Sequence, residues 1–281
     1  MHMKIAVITS TKDPAGMNIR QNLIEQGFKE GKEGFDSHKV CMLQGTEARI
    51  YTTDTDSIHC ENIDKKIAEH GFDADLFIFA TKHSSEAGVR SLSVHAPGNW
   101  GNAELGGKDR QLCIAPASCL KAALLKLDEI GKSLNGFEMI QECTHHGPFI
   151  EKPCMFIEIG SSAAEWSNKE AGKIIAETII HLIRNKPKPC KTIFGIGGLH
   201  HTPEFSKIAR RTGYSVGHVC PKYNLENLDE GMIRQALERN SGNEGEIEVV
   251  LDWKGLKAGK ERVVKLLDEA GVKFKKTKDF I

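Results

Sequence analysis

No stretch of this 281-residue chain approaches the roughly 18 consecutive apolar residues of a membrane helix, and the N-terminus has neither the charge pattern nor the cleavage site of a secretory signal. A soluble, cytoplasmic protein with no membrane partner is expected. Charge of one sign is also missing, since 38 Lys and Arg balance 38 Asp and Glu. A nucleic-acid partner would therefore need a local basic patch, because the field of the whole chain attracts nothing. The eight cysteines (Cys41, Cys60, Cys113, Cys119, Cys143, Cys154, Cys190, Cys220) form no C-x-x-C pair. Several lie in apolar stretches, as reduced and buried thiols do. Internal repeats and low-complexity tracts are absent as well. Met1-His2 ahead of Met3-Lys4 reads as a cloning addition and does not enter the fold reasoning.

What is present is globular: 40% hydrophobic and 27% charged residues, enough chain to bury a large core. Lys4 to Ile8 (KIAVI) is a short continuous apolar run, the pattern of a strand covered on both faces. Asp13-Pro14 then supplies an N-cap with proline at the first helical position, and Gly27 closes a helix of about three turns. The alternation recurs. Further strands are predicted at Leu76 to Ala80, Gln111 to Ala115, Phe137 to Cys143, Cys154 to Ile159, Thr192 to Ile196, Tyr214 to Val219 and Glu246 to Leu251. Helices are predicted at Ile63 to His70, Pro116 to Lys132, Ser167 to Arg184, Pro203 to Arg211, Asp229 to Asn240 and Lys260 to Ala270, the third opening on a capping-box spacing from Ser167 to Glu170. Strands alternating with helices predict an α/β fold, a three-layer α/β/α sandwich around a mostly parallel or mixed sheet. One domain is expected over residues 1–281, with Asn185 to Lys191 (NKPKPCK) as the best internal boundary.

The chemistry gathers just after predicted strands. Thr81 to Glu86, Thr144-His145-His146-Gly147, Gly160-Ser161-Ser162 and Gly197 to His201 each follow an apolar run, and in open α/β sheets such loops converge on one ligand site. Zn²⁺ held by three His or Asp/Glu ligands keeps a position open for water, whose pKa then falls toward about 7. There is no H-E-x-x-H, and neighbouring side chains on an extended backbone diverge, so at most one histidine of each His-His pair is expected to bind metal. Only about ten residues separate the strand before His145 from the one carrying Glu158, which favours an antiparallel pair with Glu158 partway along its strand. His95 ends another short run before the loop Gly98 to Gly107, where Trp100 is placed to stack on a base and Asn99 to bind substrate.

Other chemistries fit less well. Gly160-Ser161-Ser162-Ala163-Ala164 is close to a nucleophile elbow, which keeps a serine hydrolase using Ser162 as an alternative, although Ser after a strand more often caps the next helix. The Gly98 to Gly107 loop lacks the Lys-Ser/Thr ending of a phosphate-binding loop, and Gly195-Ile196-Gly197-Gly198 lacks the third glycine of a dinucleotide fingerprint. A non-catalytic tRNA-binding protein would rest on the basic segments Lys186 to Lys191, Lys207 to Arg211 and Lys273 to Lys278, each also the mark of a solvated face.

Ala80-Thr81-Lys82-His83-Ser84-Ser85, Ser93-Val94-His95-Ala96-Pro97-Gly98-Asn99, Thr144-His145-His146-Gly147, Glu158-Ile159-Gly160-Ser161-Ser162 and Gly197 to Pro203 stand in an order that resembles the archaeal and plant D-aminoacyl-tRNA deacylases. The resemblance runs from Lys4 into the C-terminal region. It implies a single α/β/α domain related to phosphorylase and peptidyl-tRNA hydrolase folds, a Zn²⁺ cofactor, and hydrolysis of D-aminoacyl-tRNA to D-amino acid and tRNA. It does not by itself assign the ligands. The expected mechanism is attack by metal-activated water, with His145, Glu158 and His200 as metal ligands and His83, Glu86, His146 and His201 as proton-transfer groups. His95, Asn99, Trp100, Ser161 and Ser162 are expected to contact substrate. A monomer or small homo-oligomer is expected, with tRNA phosphates held by rim lysines and arginines.

Overall fold

The computed structural model describes residues 3–85, 88–241 and 247–281. Strand β1 (Ile5–Ser10) leads through a tight turn into α1 (Pro14–Glu25). Next come β2 (Phe28–Phe35), β3 (His38–Leu43), β4 (Ala48–Thr53), α2 (Ile63–Glu69), β5 (Leu76–Ser84) and β6 (Ser91–His95). The middle of the chain forms β7 (Ala115–Pro116), α3 (Ala117–Ile130), β8 (Glu138–Gln141), β9 (Cys154–Ser161), α4 (Ala163–Trp166) and α5 (Lys169–Arg184). The remainder forms β10 (Thr192–Ile196), α6 (Pro203–Arg211), β11 (Ser215–Cys220), α7 (Glu230–Glu238), β12 (Asn240–Ser241), β13 (Glu248–Leu251), α8 (Lys260–Glu269) and β14 (Phe274–Lys276). The protein is mixed α/β, with helices packed around two main sheets.

An eight-stranded mixed sheet runs β2-β3-β4-β1-β5-β9-β6-β8, and a four-stranded parallel sheet runs β11-β10-β13-β14. Every residue of β1 is buried, as its unbroken apolar run requires of a strand lying between the parallel β4 and β5. Asp13 caps α1, its Oδ1 accepting the Gly16 N–H at 2.8 Å, with Pro14 at the first helical position. The β2–β4 meander was not expected from the sequence. Its first strand, FKEGKEGF, is largely exposed at the sheet edge, so it carries charge rather than the apolar run of a central strand.

Two further expectations change. The capping box lies at Ser162 and Glu165 and opens the short α4, while Asn168 caps α5 by accepting the Ala171 N–H at 3.0 Å. Strands β8 and β9 do run antiparallel, but they do not pair, because β6 lies between them, parallel to β8 and antiparallel to β9. Segment 142–153 starts alongside the end of β6, with Glu142 N–H donating to the Val94 carbonyl (3.0 Å), and ties the two sheets together: Cys143 N–H donates to the His200 carbonyl (2.8 Å) and Thr144 N–H to that of Val219 (3.0 Å). A single apolar cluster takes in Ile5, Val94 and Ile157 from the large sheet and Ile193, Val216 and Val250 from the small one. All eight cysteines are free thiols, seven of them buried and Cys190 half-buried; burial pushes Cys60 and Cys119 up to about 12.

Candidate active site

Strand register builds the floor of the site. Thr81 and Ser93 stand opposite Glu158, His95 opposite Phe156, and His83 opposite Gly160, so all of them face one side of the sheet. The strand around His83 is longer than expected: β5 continues to Ser84, which makes Thr81 and His83 strand residues. Gly160 makes room for that packing, since a Cβ there would come within 2.6 Å of Ser91 Oγ and 3.0 Å of His83 Cδ2. The roof is the loop after β8, carrying Glu142, His145 and His146, and the loop after β10, carrying His200 and His201. Between floor and roof lies a cavity of about 730 Å³ whose lining includes Thr81, His83, Glu158, His145, His146, His200 and His201.

The His145-His146 pair departs from the expected divergence. His146 has φ +43°, in the left-handed region, so the backbone there is not extended and both rings turn the same way. Their centroids lie 4.3 Å apart, and His95 is 4.2 Å from His145 and 4.9 Å from His146. Gly147 allows the turn, because a Cβ there would come within 2.1 Å of the Gly107 nitrogen. Each of the three rings is held by its Nδ1, which donates to a backbone carbonyl: His95 to Ala96 (3.3 Å), His145 to Cys143 (3.0 Å) and His146 to Gly147 (2.7 Å). A carbonyl only accepts, so each Nδ1 carries a proton, and in the neutral ring Nε2 is then the nitrogen with the free lone pair. Ligand atoms of His95, His145 and His146 all lie within 4.8 Å of one another. The same holds for Cys143, His145 and His200, for His83, Glu142 and His201, and for His95, Glu142 and Glu158.

Two buried carboxylates balance these rings. Glu158 accepts from Thr81 Oγ1 at 2.7 Å, and its other oxygen lies 3.5 Å from His83 Nδ1 and 3.6 Å from His95 Nε2. Glu142 lies 3.4 Å from His83 Nδ1, 3.7 Å from His145 Nε2 and 3.2 Å from His200 Nε2. Burial alone would raise both carboxyls, but their histidine partners hold Glu142 below the usual range and Glu158 well below it. Burial drives His146 down to about 4 and His145 well below its ordinary value. For His83 and His200 burial works the same way but the neighbours win. Glu158 and Glu142 raise His83, and Cys143 and Glu142 bring His200 to about 10.

Glu142 is one residue of the site that the sequence reading missed. The signal was the same one that marked Glu158, an acidic residue closing an apolar strand (Met139-Ile140-Gln141-Glu142). Tyr223 was also missed; its hydroxyl lies 3.1 Å from His200 Nδ1 and 3.2 Å from Cys143 Sγ. Asn99 does not reach the floor residues; it braces its own loop, donating to the Gly106 carbonyl at 2.8 Å. Trp100 is 1% exposed, with its N–H on the Thr144 carbonyl and its ring stacked on Phe194 rather than open to a base. Both residues edge a second, smaller cavity of about 260 Å³ that backs onto His145 and His146. Ser161 is buried, while Ser162 is exposed and donates to Glu165 Oε2 at 2.6 Å. No histidine contact to Ser162 occurs among the described residues, and the carboxylate it meets, Glu165, is engaged with it in the capping box of α4. Glu86 lies outside the described residues.

A family profile described as D-aminoacyl-tRNA deacylase matches residues 70–275. The D-aminoacyl-tRNA deacylase of Thermococcus kodakarensis is 40% identical over 277 residues, covering 97% of this chain and 99% of its own length. That of Archaeoglobus fulgidus is 33% identical over 274 residues, covering 97% and 96%. The crystal structure of a conserved protein of unknown function superposes with a TM-score of 0.89 at 33% identity, over 99% of this chain and 96% of that one.

Proposed function

This chain belongs to the D-aminoacyl-tRNA deacylase family, and from that premise we propose that it hydrolyses the ester of D-aminoacyl-tRNA in the histidine-lined cavity, with zinc held by His95, His145 and His146 beside Glu158. The observation that carries the zinc reading is the common tautomer of the three rings, each fixed by an Nδ1–H donated to a backbone carbonyl. Outer partners of this kind orient imidazole ligands in metal sites. His95 Nε2 and Glu158 Oε2 are also buried without a hydrogen-bond partner among the described residues, a costly state for polar atoms that a cation relieves. On this reading His145 is a ligand, as expected from the sequence, and Glu158 stands beside the ion rather than among the three histidine ligands. His95 and His146 take the place of His200, whose nitrogens face Glu142, Tyr223 and Cys143. Zinc bound there would supply Lewis-acid activation of water.

The remaining residues move protons and exclude solvent. His83 Nδ1 sits between Glu142 and Glu158, which hold its proton and leave Nε2 to exchange one with the reacting groups. The Glu142–His200 pair offers a second route at the half-exposed side of the cavity. Ile58, Leu105, Phe156 and Leu199 give the wall an apolar lining for the terminal nucleoside.

Hydrolysis of matched D- and L-aminoacyl-tRNA by the purified protein, by chelator-stripped protein and by stripped protein with zinc restored tests this reading. Turnover of the D ester that disappears on stripping and returns with zinc is expected. Full activity in verified metal-free protein would overturn the metal role, and equal turnover of both esters would overturn the substrate.

A further inference from the structure

A second hollow, of about 850 Å³, lies on the other side of the loop after β10 and is walled by α6 and by the loops after β11 and β13. Its cations are Lys207, Arg211, Lys222, Lys254, Lys257 and Lys278, against the side-chain carboxylates of Glu204 and Asp252. Glu204 pairs with Lys207 at 2.6 Å, and Asp252 is buried and accepts the Gly255 N–H at 3.0 Å. Arg211, Lys222, Lys254, Lys257 and Lys278 are all exposed and have no ion pair among the described residues. In a chain with 38 positive and 38 negative side chains, that is a strong local excess. Trp253 adds to it, because Lys276 Nζ sits 3.9 Å and Lys260 Nζ 5.3 Å from its ring centre, which holds two more ammonium groups at the wall.

The hollow adjoins the histidine-lined cavity. Leu199 lines both, and its side chain is 55% exposed on the saddle between them. On either side of that saddle, consecutive residues divide the work. His200 and His201 line the cavity while Gly198 and Pro203 line the groove; Tyr223 lines the cavity while Lys222 lines the groove.

We propose that this basic groove docks the phosphate backbone of the RNA body whose esterified 3′ end lies in the cavity. The proposal rests on the deacylase reading and adds the face by which the RNA is held. Phosphate contacts position a nucleic acid without reading its sequence, which suits an enzyme that acts on the one end shared by many RNAs. Each contact also releases counterions, so binding must weaken steeply with salt.

The triple variant Arg211→Gln, Lys254→Gln, Lys257→Gln tests this, with Lys222→Gln as a second, single change; all four positions are exposed, and circular dichroism checks the fold. Two readouts are needed. In the first, uncharged tRNA is titrated at several salt concentrations, and the triple variant should bind at least about tenfold more weakly, with a salt slope reduced by about one for each cation removed. In the second, hydrolysis of D-aminoacyl-tRNA is compared with that of 3′-D-aminoacyl-adenosine, which has no RNA body. KM should rise for the tRNA ester and stay unchanged for the nucleoside ester. An unchanged salt slope, or equal loss on both esters, would overturn the groove. If the unmodified protein hydrolysed neither ester, the deacylase reading would fail, and the titration would still decide whether the groove binds RNA. Weakened binding of an acidic protein without weakened tRNA binding would assign the surface to a protein partner and reject the RNA.

Discussion

At the scale of single residues, His83 and His218 show how the same side chain is set to opposite tasks. His83 lies on the cavity wall with one nitrogen between two carboxylates, so His83→Ala is expected to lower kcat by about a hundred- to ten-thousandfold while zinc content stays at the level of the unmodified protein. Loss of zinc along with rate would make His83 a ligand instead. His218 is fully buried, donating Nε2–H to the Cys113 carbonyl at 2.9 Å and accepting from Thr144 Oγ1 at 3.0 Å. Burial lowers it to about 4 from an ordinary 6.5. The unfolded chain therefore takes up this proton first as pH falls. Its contribution is present in full above pH 6.5 and is lost as pH drops through about 4, amounting to about 3 kcal/mol at the acid end. Thermal unfolding of His218→Gln from pH 7 to 4 should show a shallower loss of Tm than the unmodified chain, and parallel curves would reject the assignment.

Among the elements, α4 makes the sharpest test. Ser162 and Glu165 close its capping box, and replacing such a cap by alanine typically costs about 1 kcal/mol. Ser162→Ala should lower Tm by a few degrees and change the deacylation rate by less than about tenfold. A loss of three orders of magnitude in folded protein would restore the serine nucleophile. Elements were legible where local pattern and burial agree: Lys4 to Ile8 is apolar because β1 is covered on both faces, and Pro203 to Arg211 forms α6 as its spacing predicts. Phe28 to Phe35 was not legible, because an edge strand with a solvated face leaves a charged pattern with glycines that resembles a loop. The order β9-β6-β8 was hidden for a different reason. A short connection argues for neighbours, and nothing in segment 142–153 announces that a third strand lies between them.

At the scale of the whole molecule, the cavity draws floor residues from the large sheet and His200 and His201 from the loop after the first strand of the small one. The sequence disclosed the histidine clusters through their places after apolar runs. It did not disclose that His146 adopts a left-handed backbone, the torsion that lets both rings of the pair turn to the same side. A ligand that binds only the folded chain stabilises it, by about 4 kcal/mol at a thousand times its dissociation constant. Scanning calorimetry of stripped protein with and without added zinc should therefore show a rise in Tm of several degrees, and that rise should vanish in His95→Ala. An identical Tm with and without zinc would count against a site of this kind.

The distribution of thiols has a practical consequence. With seven cysteines buried and Cys190 half-buried on the crossover ahead of β10, a maleimide dye meets one accessible sulfur on the native chain and eight after denaturation. The unmutated protein thus carries its own labelling position, away from the cavity and the basic groove, where a fluorophore can report RNA capture without disturbing either.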